Sequence, residues 1–186
     1  MRLFLAIPLP PDLAARAYQI LPTSLPALRR VKAENLHITL AFLGQTPDER
    51  LDDVAAAAAD AAALVSPFTL SFDCAGKFPE RGRPRVVWLG ISDGEASVVE
   101  LGRGVYAGLR SRSLAFDDRP LAPHLTLARV VEDASAAEAK TVGAALEGLA
   151  IEVLRFEVNE IAVVQSVLSP KGPKYTARAT VPLAHR

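Results

Sequence analysis

The chain has 186 residues, half of them hydrophobic, and its 21 basic and 21 acidic side chains cancel to a formal net charge of zero. That length and apolar share can bury a sizeable core in one domain, 1–186, while zero net charge excludes a protein that draws in nucleic acid by a global positive field. The single cysteine, Cys74, excludes an internal disulfide and suits a reducing compartment.

The elements follow in chain order. Arg2 and the run Leu3 to Ile7 superficially suggest a signal peptide, but the run is short, Pro8 interrupts it and Asp12 follows. A first strand over 2–7 is the better reading. Pro10-Pro11-Asp12 opens a helix from Leu13 to Leu21. A strand is expected over 36–43. Thr46-Pro47-Asp48-Glu49 reads as a capping box with proline at the first helical position, opening an alanine-rich helix to Leu64. A strand over 67–74 carries Cys74 in an alternating run, where inert packing is expected. A further strand over 85–90 leads to Ser92-Asp93-Gly94-Glu95, read as the cap of a helix reaching Leu109. In that helix Val98, Leu101, Val105 and Leu109 fall at helical spacing. Strands over 123–129, 154–165 and 174–182 complete the chain, with a fourth helix capped by Ser135 and Glu138 and running to Leu149. Many strands alternate polar and apolar residues, which favours α+β with antiparallel sheets over a parallel, doubly wound sheet. No apolar stretch approaches the ~20 residues that cross a bilayer, so a cytoplasmic protein is expected.

Two strands carry the chemistry. His37-Ile38-Thr39-Leu40 is echoed by His124-Leu125-Thr126-Leu127, which takes two of the three histidines. Alternation along a strand projects His and Thr from one face and sends Ile38, Leu40, Leu125 and Leu127 to the other. If the two strands meet, they bring together two titratable bases and two hydroxyl donors. Such a set suits in-line displacement at phosphorus, with one imidazole deprotonating the nucleophile and the other protonating the leaving oxygen.

With these residues the chain resembles the two-histidine phosphoesterase superfamily, in particular the RNA 2′,3′-cyclic phosphodiesterases first described as 2′-5′ RNA ligases. The likeness extends from Met1–Ile7 through Glu34–Gly44, Arg83–Gly90 and Arg119–Arg129 to Ser166–Tyr175. It implies a bilobal fold of two mainly antiparallel sheets with flanking helices, whose central groove carries both motif strands. It implies hydrolysis of RNA 2′,3′-cyclic phosphate ends to 2′-phosphomonoesters, with His37 as proton donor and His124 as proton acceptor. Thr39, Thr126 and Arg129 would hold the phosphate. Arg129 is the exception to strict alternation, which puts it opposite His124 and Thr126. A bulge or strand end near Ala128 is needed to turn it into the groove. Phe42 has the same parity problem and resembles a base-contacting position of the family, with core packing an equal reading. Small cyclic nucleotides or ADP-ribose cyclic phosphate are alternative substrates, and 2′-5′ ligation is the reverse reaction. Neither metal nor cofactor is expected, and the protein is expected to be a monomer.

Competing sites are weaker. Gly90-Ile91-Ser92-Asp93-Gly94 matches a nucleophile elbow, but a helix cap explains Ser92 and a serine hydrolase leaves the first motif unexplained. Catalytic zinc needs about three protein ligands; two histidines on separate strands would need a carboxylate such as Asp117 or Asp118, and neither motif has the His-x-His or His-x-x-x-His spacing that sets two imidazoles on one metal. Basic clusters at Arg29, Arg30 and Lys32, at Arg81, Arg83 and Arg85, and at Lys171 and Lys174 either converge on an anionic substrate or are solvated surface. His185, penultimate and without a motif, reads as a solvated tail.

Overall fold

A computed structural model describes residues 1–170 and 172–184. Lys171 and His185, read above as part of a basic cluster and as a tail, lie outside the described residues. Among the described residues nine strands and four α-helices are interleaved. The strands are β1 (Arg2–Pro8), β2 (Leu28–Arg30), β3 (His37–Gln45), β4 (Phe68–Phe78), β5 (Val86–Asp93), β6 (Leu125–Val130), β7 (Leu154–Val158), β8 (Glu160–Val167) and β9 (Lys174–Pro182). The helices are α1 (Pro11–Gln19), α2 (Leu51–Ala62), α3 (Glu95–Ser111) and α4 (Ala136–Glu147).

The expectation of two sheets is corrected to one. All nine strands share a sheet in the order β7-β4-β5-β6-β3-β1-β8-β9, with β2 also on β6, and every pairing is antiparallel. The sheet is pinched at its middle, where β3 and β6 share the one pair Ile38↔Leu125. Beyond that pair the partner edge of β6 passes to β2, so β2 and β3 flank the same edge, interrupted by a 3-10 turn at Ala33–Asn35. The stretch 154–165 is not one strand. It breaks at Asn159 and serves both halves, β7 pairing with β4 and β8 with β1.

Ile38, Leu40, Leu125 and Leu127 join a core that includes Val98, Leu101 and Val105 of α3. Helix α3 lies close on α2, since a Cβ at Gly108 would stand 3.0 Å from the Ala57 backbone. Two caps depart from the sequence reading. Thr46 turns its hydroxyl back to the Gly44 carbonyl at 3.3 Å and its amide to the Met1 carbonyl, so residues 48–50 form a 3-10 turn and α2 begins at Leu51. Ser92 and Glu95 form no capping box. β5 continues through Asp93, and Gly94 with φ +87° makes the turn into α3. The box at Ser135 and Glu138 is formed, with both reciprocal hydrogen bonds. Cys74 is exposed, because the β4–β5 ladder shifts register between Phe72 and Cys74. Among the described residues no helix is long and apolar enough to cross a membrane.

Candidate active site

The single β3–β6 pair sets the geometry of the site. With Ile38 opposite Leu125 in an antiparallel register, His37 falls opposite Thr126 and Thr39 opposite His124. Alternation sends these four to the face away from Ile38 and Leu125. The histidines are then diagonal neighbours across the strand pair, about 7–8 Å apart.

Both imidazoles are held by the same device. His37 Nδ1–H donates to the Asn35 carbonyl at 2.7 Å, and His124 Nδ1–H donates to the Ala122 carbonyl at 2.7 Å. A carbonyl only accepts, so Nδ1 carries the proton in each ring and Nε2 is the atom free to exchange one. Each ring also packs between two aromatic side chains from its own half of the sheet. Phe4 and Tyr175 lie 4.8 and 5.5 Å from His37, while Phe78 and Trp88 lie 5.1 and 6.4 Å from His124. Burial lowers the pKa of both imidazoles below the usual histidine value, opposed in each by the carbonyl bond. His124 depresses His37 further, and the Arg129 guanidinium depresses His124.

The two strands also share an irregularity. Leu40 is an extra residue in β3 between the pairs Thr39↔Ala6 and Ala41↔Leu5. Leu127 is likewise extra in β6, between Thr126↔Trp88 and Ala128↔Val87. Each bulge leaves two consecutive residues buried and returns the next one to the motif face. Burial from Ile38 to Phe42 therefore matches that from Leu125 to Arg129, position by position. Phe42 and Arg129 occupy equivalent places and both reach the groove, which resolves the parity problem of each.

That groove has a volume of about 280 Å³, and its lining includes His37, Thr39, Phe42, Thr126, Arg129 and Tyr175. His124 is not among the lining residues. It stands beside the groove, two positions from Thr126 on the same face. Tyr175 went unread in the sequence as a site residue. Burial raises its pKa, and Arg129 and Arg2 oppose the rise. Asn35 also went unread. It is buried, its Nδ2 donates to the Pro173 carbonyl at 3.0 Å, and its own carbonyl holds His37. Its place two residues before the first histidine was the available signal.

Of the basic clusters, Arg29, Arg30 and Lys32 line the groove. Arg83 does not. It donates to the carbonyls of Glu132 and Ala134 beside a separate cleft against α4. Asp117 is engaged by the Arg119 guanidinium at 2.8 and 3.0 Å, and Asp118 lies 4.0 Å from Arg110. Among the described residues no three His, Cys, Asp or Glu side chains converge. Ser92 is exposed near the end of β5, two residues ahead of the turn, and among the described residues its side chain makes no hydrogen bond, unlike the serine of a nucleophile elbow.

Comparison with known proteins places the chain in a family. Residues 9–168 match the 2'-5' RNA ligase superfamily. A Geobacillus stearothermophilus protein named RNA 2',3'-cyclic phosphodiesterase is 38% identical over 161 residues, covering 87% of this chain; the chain spans about half of that relative, 49%. An Archaeoglobus fulgidus protein of the same name is 33% identical over 94% of this chain and 96% of its own. The crystal structure of E. coli LigT complexed with 3'-AMP superposes with a TM-score of 0.76 at 27% identity, covering 99% of this chain and 98% of that one.

Proposed function

The chain belongs to the 2'-5' RNA ligase superfamily, and from that premise we propose that it hydrolyses RNA 2′,3′-cyclic phosphate ends to 2′-phosphomonoesters by paired histidine acid–base catalysis. The observation that carries the reading is the matched pair of imidazoles, each with Nδ1–H tied to the carbonyl two residues back and Nε2 left to exchange a proton. Water attacks phosphorus in line with O3′ as the P–O3′ bond breaks. His124 Nε2 takes the proton from water, and His37 Nε2–H gives its proton to O3′. This division of roles follows the resemblance. Arg129 favours the neutral form in which His124 must start as base, and the anionic phosphate, once bound, favours the charged form in which His37 must start as acid. Thr39 and Thr126 donate to the non-bridging oxygens, and Arg129 answers the charge that grows on them. No step requires a metal or cofactor.

The two motif halves are read as pseudo-symmetric lobes of one domain in a cytoplasmic monomer. The matched bulges and matched aromatic packing support that symmetry. The test is turnover of an oligoribonucleotide ending in a 2′,3′-cyclic phosphate, in the presence of EDTA, with the product's phosphate position mapped. A 2′-phosphomonoester is expected. A 3′-phosphate product, or activity that returns only on adding a divalent metal, contradicts the reading.

A further inference from the structure

The groove carries more positive charge than one reacting phosphate uses. Four basic residues line it: Arg29, Arg30, Lys32 and Arg129. Arg30 is engaged by the chain itself, donating to the carbonyls of Tyr18 and Leu21 and lying over the Tyr18 ring. Among the described residues the side chains of Arg29, Lys32 and Arg129 meet no hydrogen-bond acceptor and no carboxylate. By contrast Arg16, Arg50, Arg112 and Arg119 each pair with an acid. Glu34, the acid nearest in sequence, lines an adjoining cavity beyond His37 and not this groove.

Two of the free cations are forced together. Arg29 and Arg129 are direct partners in the β2–β6 ladder. Side chains directly opposite on antiparallel strands leave from one face about 4.5–5.5 Å apart at Cβ, and like charges there are destabilising. The fold keeps this pair in a protein whose acidic and basic residues are equal in number. An anion between them removes the repulsion.

We infer that Arg29 and Lys32 form a second anion subsite, beside Arg129, that holds the internucleotide phosphate adjoining the cyclic end of an RNA strand. The inference rests on the function proposed above. A cyclic phosphate diester carries one negative charge, which Arg129 answers. Two further cations match a continuing phosphate backbone and have nothing to hold on a cyclic mononucleotide. Their place fits this role. Arg129 lies three residues beyond Thr126, about 10 Å of extended chain, so Arg29 opposite it stands one step removed from the histidines.

The experiment compares a 2′,3′-cyclic mononucleotide with an oligoribonucleotide ending in the same cyclic nucleotide, using wild type, Arg29→Gln, Lys32→Gln and the double variant. Anisotropy of a labelled oligonucleotide ending in a 2′-phosphate is followed over salt in parallel, and thermal melts confirm folding. Wild type should prefer the oligonucleotide through a lower KM, and the double variant should lose at least tenfold more kcat/KM on the oligonucleotide than on the mononucleotide. Each single-strand phosphate contact contributes about 0.7 to the salt slope, so with one internucleotide phosphate held a fourfold rise in salt should weaken wild-type binding roughly 2.6-fold more than binding by the double variant. Equal losses on both substrates, no loss on either, or an unchanged salt slope overturns the subsite. If wild type turns over neither substrate, the parent reading fails, and the salt slope alone decides the subsite.

Discussion

Replacing Asn35 by alanine isolates the contact between the segment that holds the first histidine and Pro173, which lines the groove. The side chain is only 7% exposed, and its Nδ2 donates to the Pro173 carbonyl at 3.0 Å. Its main-chain carbonyl fixes His37 Nδ1, while Pro173 and Tyr175 line the same groove. Loss of the amide removes a net ~1 kcal/mol of hydrogen bonding and adds the desolvation cost of an unmet carbonyl, so unfolding free energy should fall by about 1–3 kcal/mol. The second histidine has no counterpart, since its carbonyl comes from Ala122. Activity should therefore fall about tenfold through looser placement of the His37 ring, a small part of the ~10²–10⁴-fold an acid–base group supplies. Asn35→Asp should do more damage, because a carboxylate then faces the Pro173 carbonyl in place of a donor. Denaturant unfolding and kcat/KM on a cyclic-phosphate oligonucleotide measure the two effects. Wild-type stability and rate in Asn35→Ala would refute the reasoning, as would an aspartate variant better than the alanine one.

Thr39→Ala and Thr126→Ala should each slow turnover about tenfold, less than the ~10²–10³-fold of an enclosed oxyanion donor, because water can enter the open groove in place of the hydroxyl; steady-state kinetics decides. The pH profile of kcat/KM should be bell-shaped with its maximum below ~6.5, since burial lowers both imidazoles from that value, while bound anionic phosphate should move the kcat profile to higher pH. The same shifts govern stability: the native state favours neutral rings, so the unfolded chain binds more protons, and stability is lost as pH falls from ~6.5 through the lowered folded values. His37→Gln should lessen that acid loss in thermal melts. Ser92→Ala should change stability by no more than ~0.5 kcal/mol and leave turnover intact, because the exposed serine caps nothing. Gly94→Ala should cost about 1–3 kcal/mol, given φ +87° and a Cβ that would collide with the Thr69 carbonyl oxygen.

The candidate site was legible where the chain repeats itself. The alternation of His37, Thr39, His124 and Thr126 against Ile38 and Leu125 fixed which side chains share a face, and the structure joins the two strands at that apolar pair. The bulges at Leu40 and Leu127 were not legible, because an extra residue among apolar neighbours leaves no mark on composition. Only the need to turn Arg129 toward the groove hinted at one. Strand β2 was missed for a related reason: three residues held by β6 carry no periodicity of their own. The misread caps show local patterns yielding to longer-range contacts. The Met1 terminus engages the Thr46 carbonyl and Asp48, and β4 pairing carries β5 past Ser92 to a glycine turn. The break at Asn159, which divides one apolar run between two halves of the sheet, is settled by partners far away in the chain.

The proposed paired-histidine mechanism is tested most directly by kcat/KM of His37→Ala, His124→Ala and the double variant on an oligoribonucleotide ending in a 2′,3′-cyclic phosphate. Each single replacement should cost roughly 10²–10⁴-fold with the fold intact. The double variant should lose far less than the product of the two, because the residues act as one unit. A single variant within about threefold of wild type would contradict the paired mechanism.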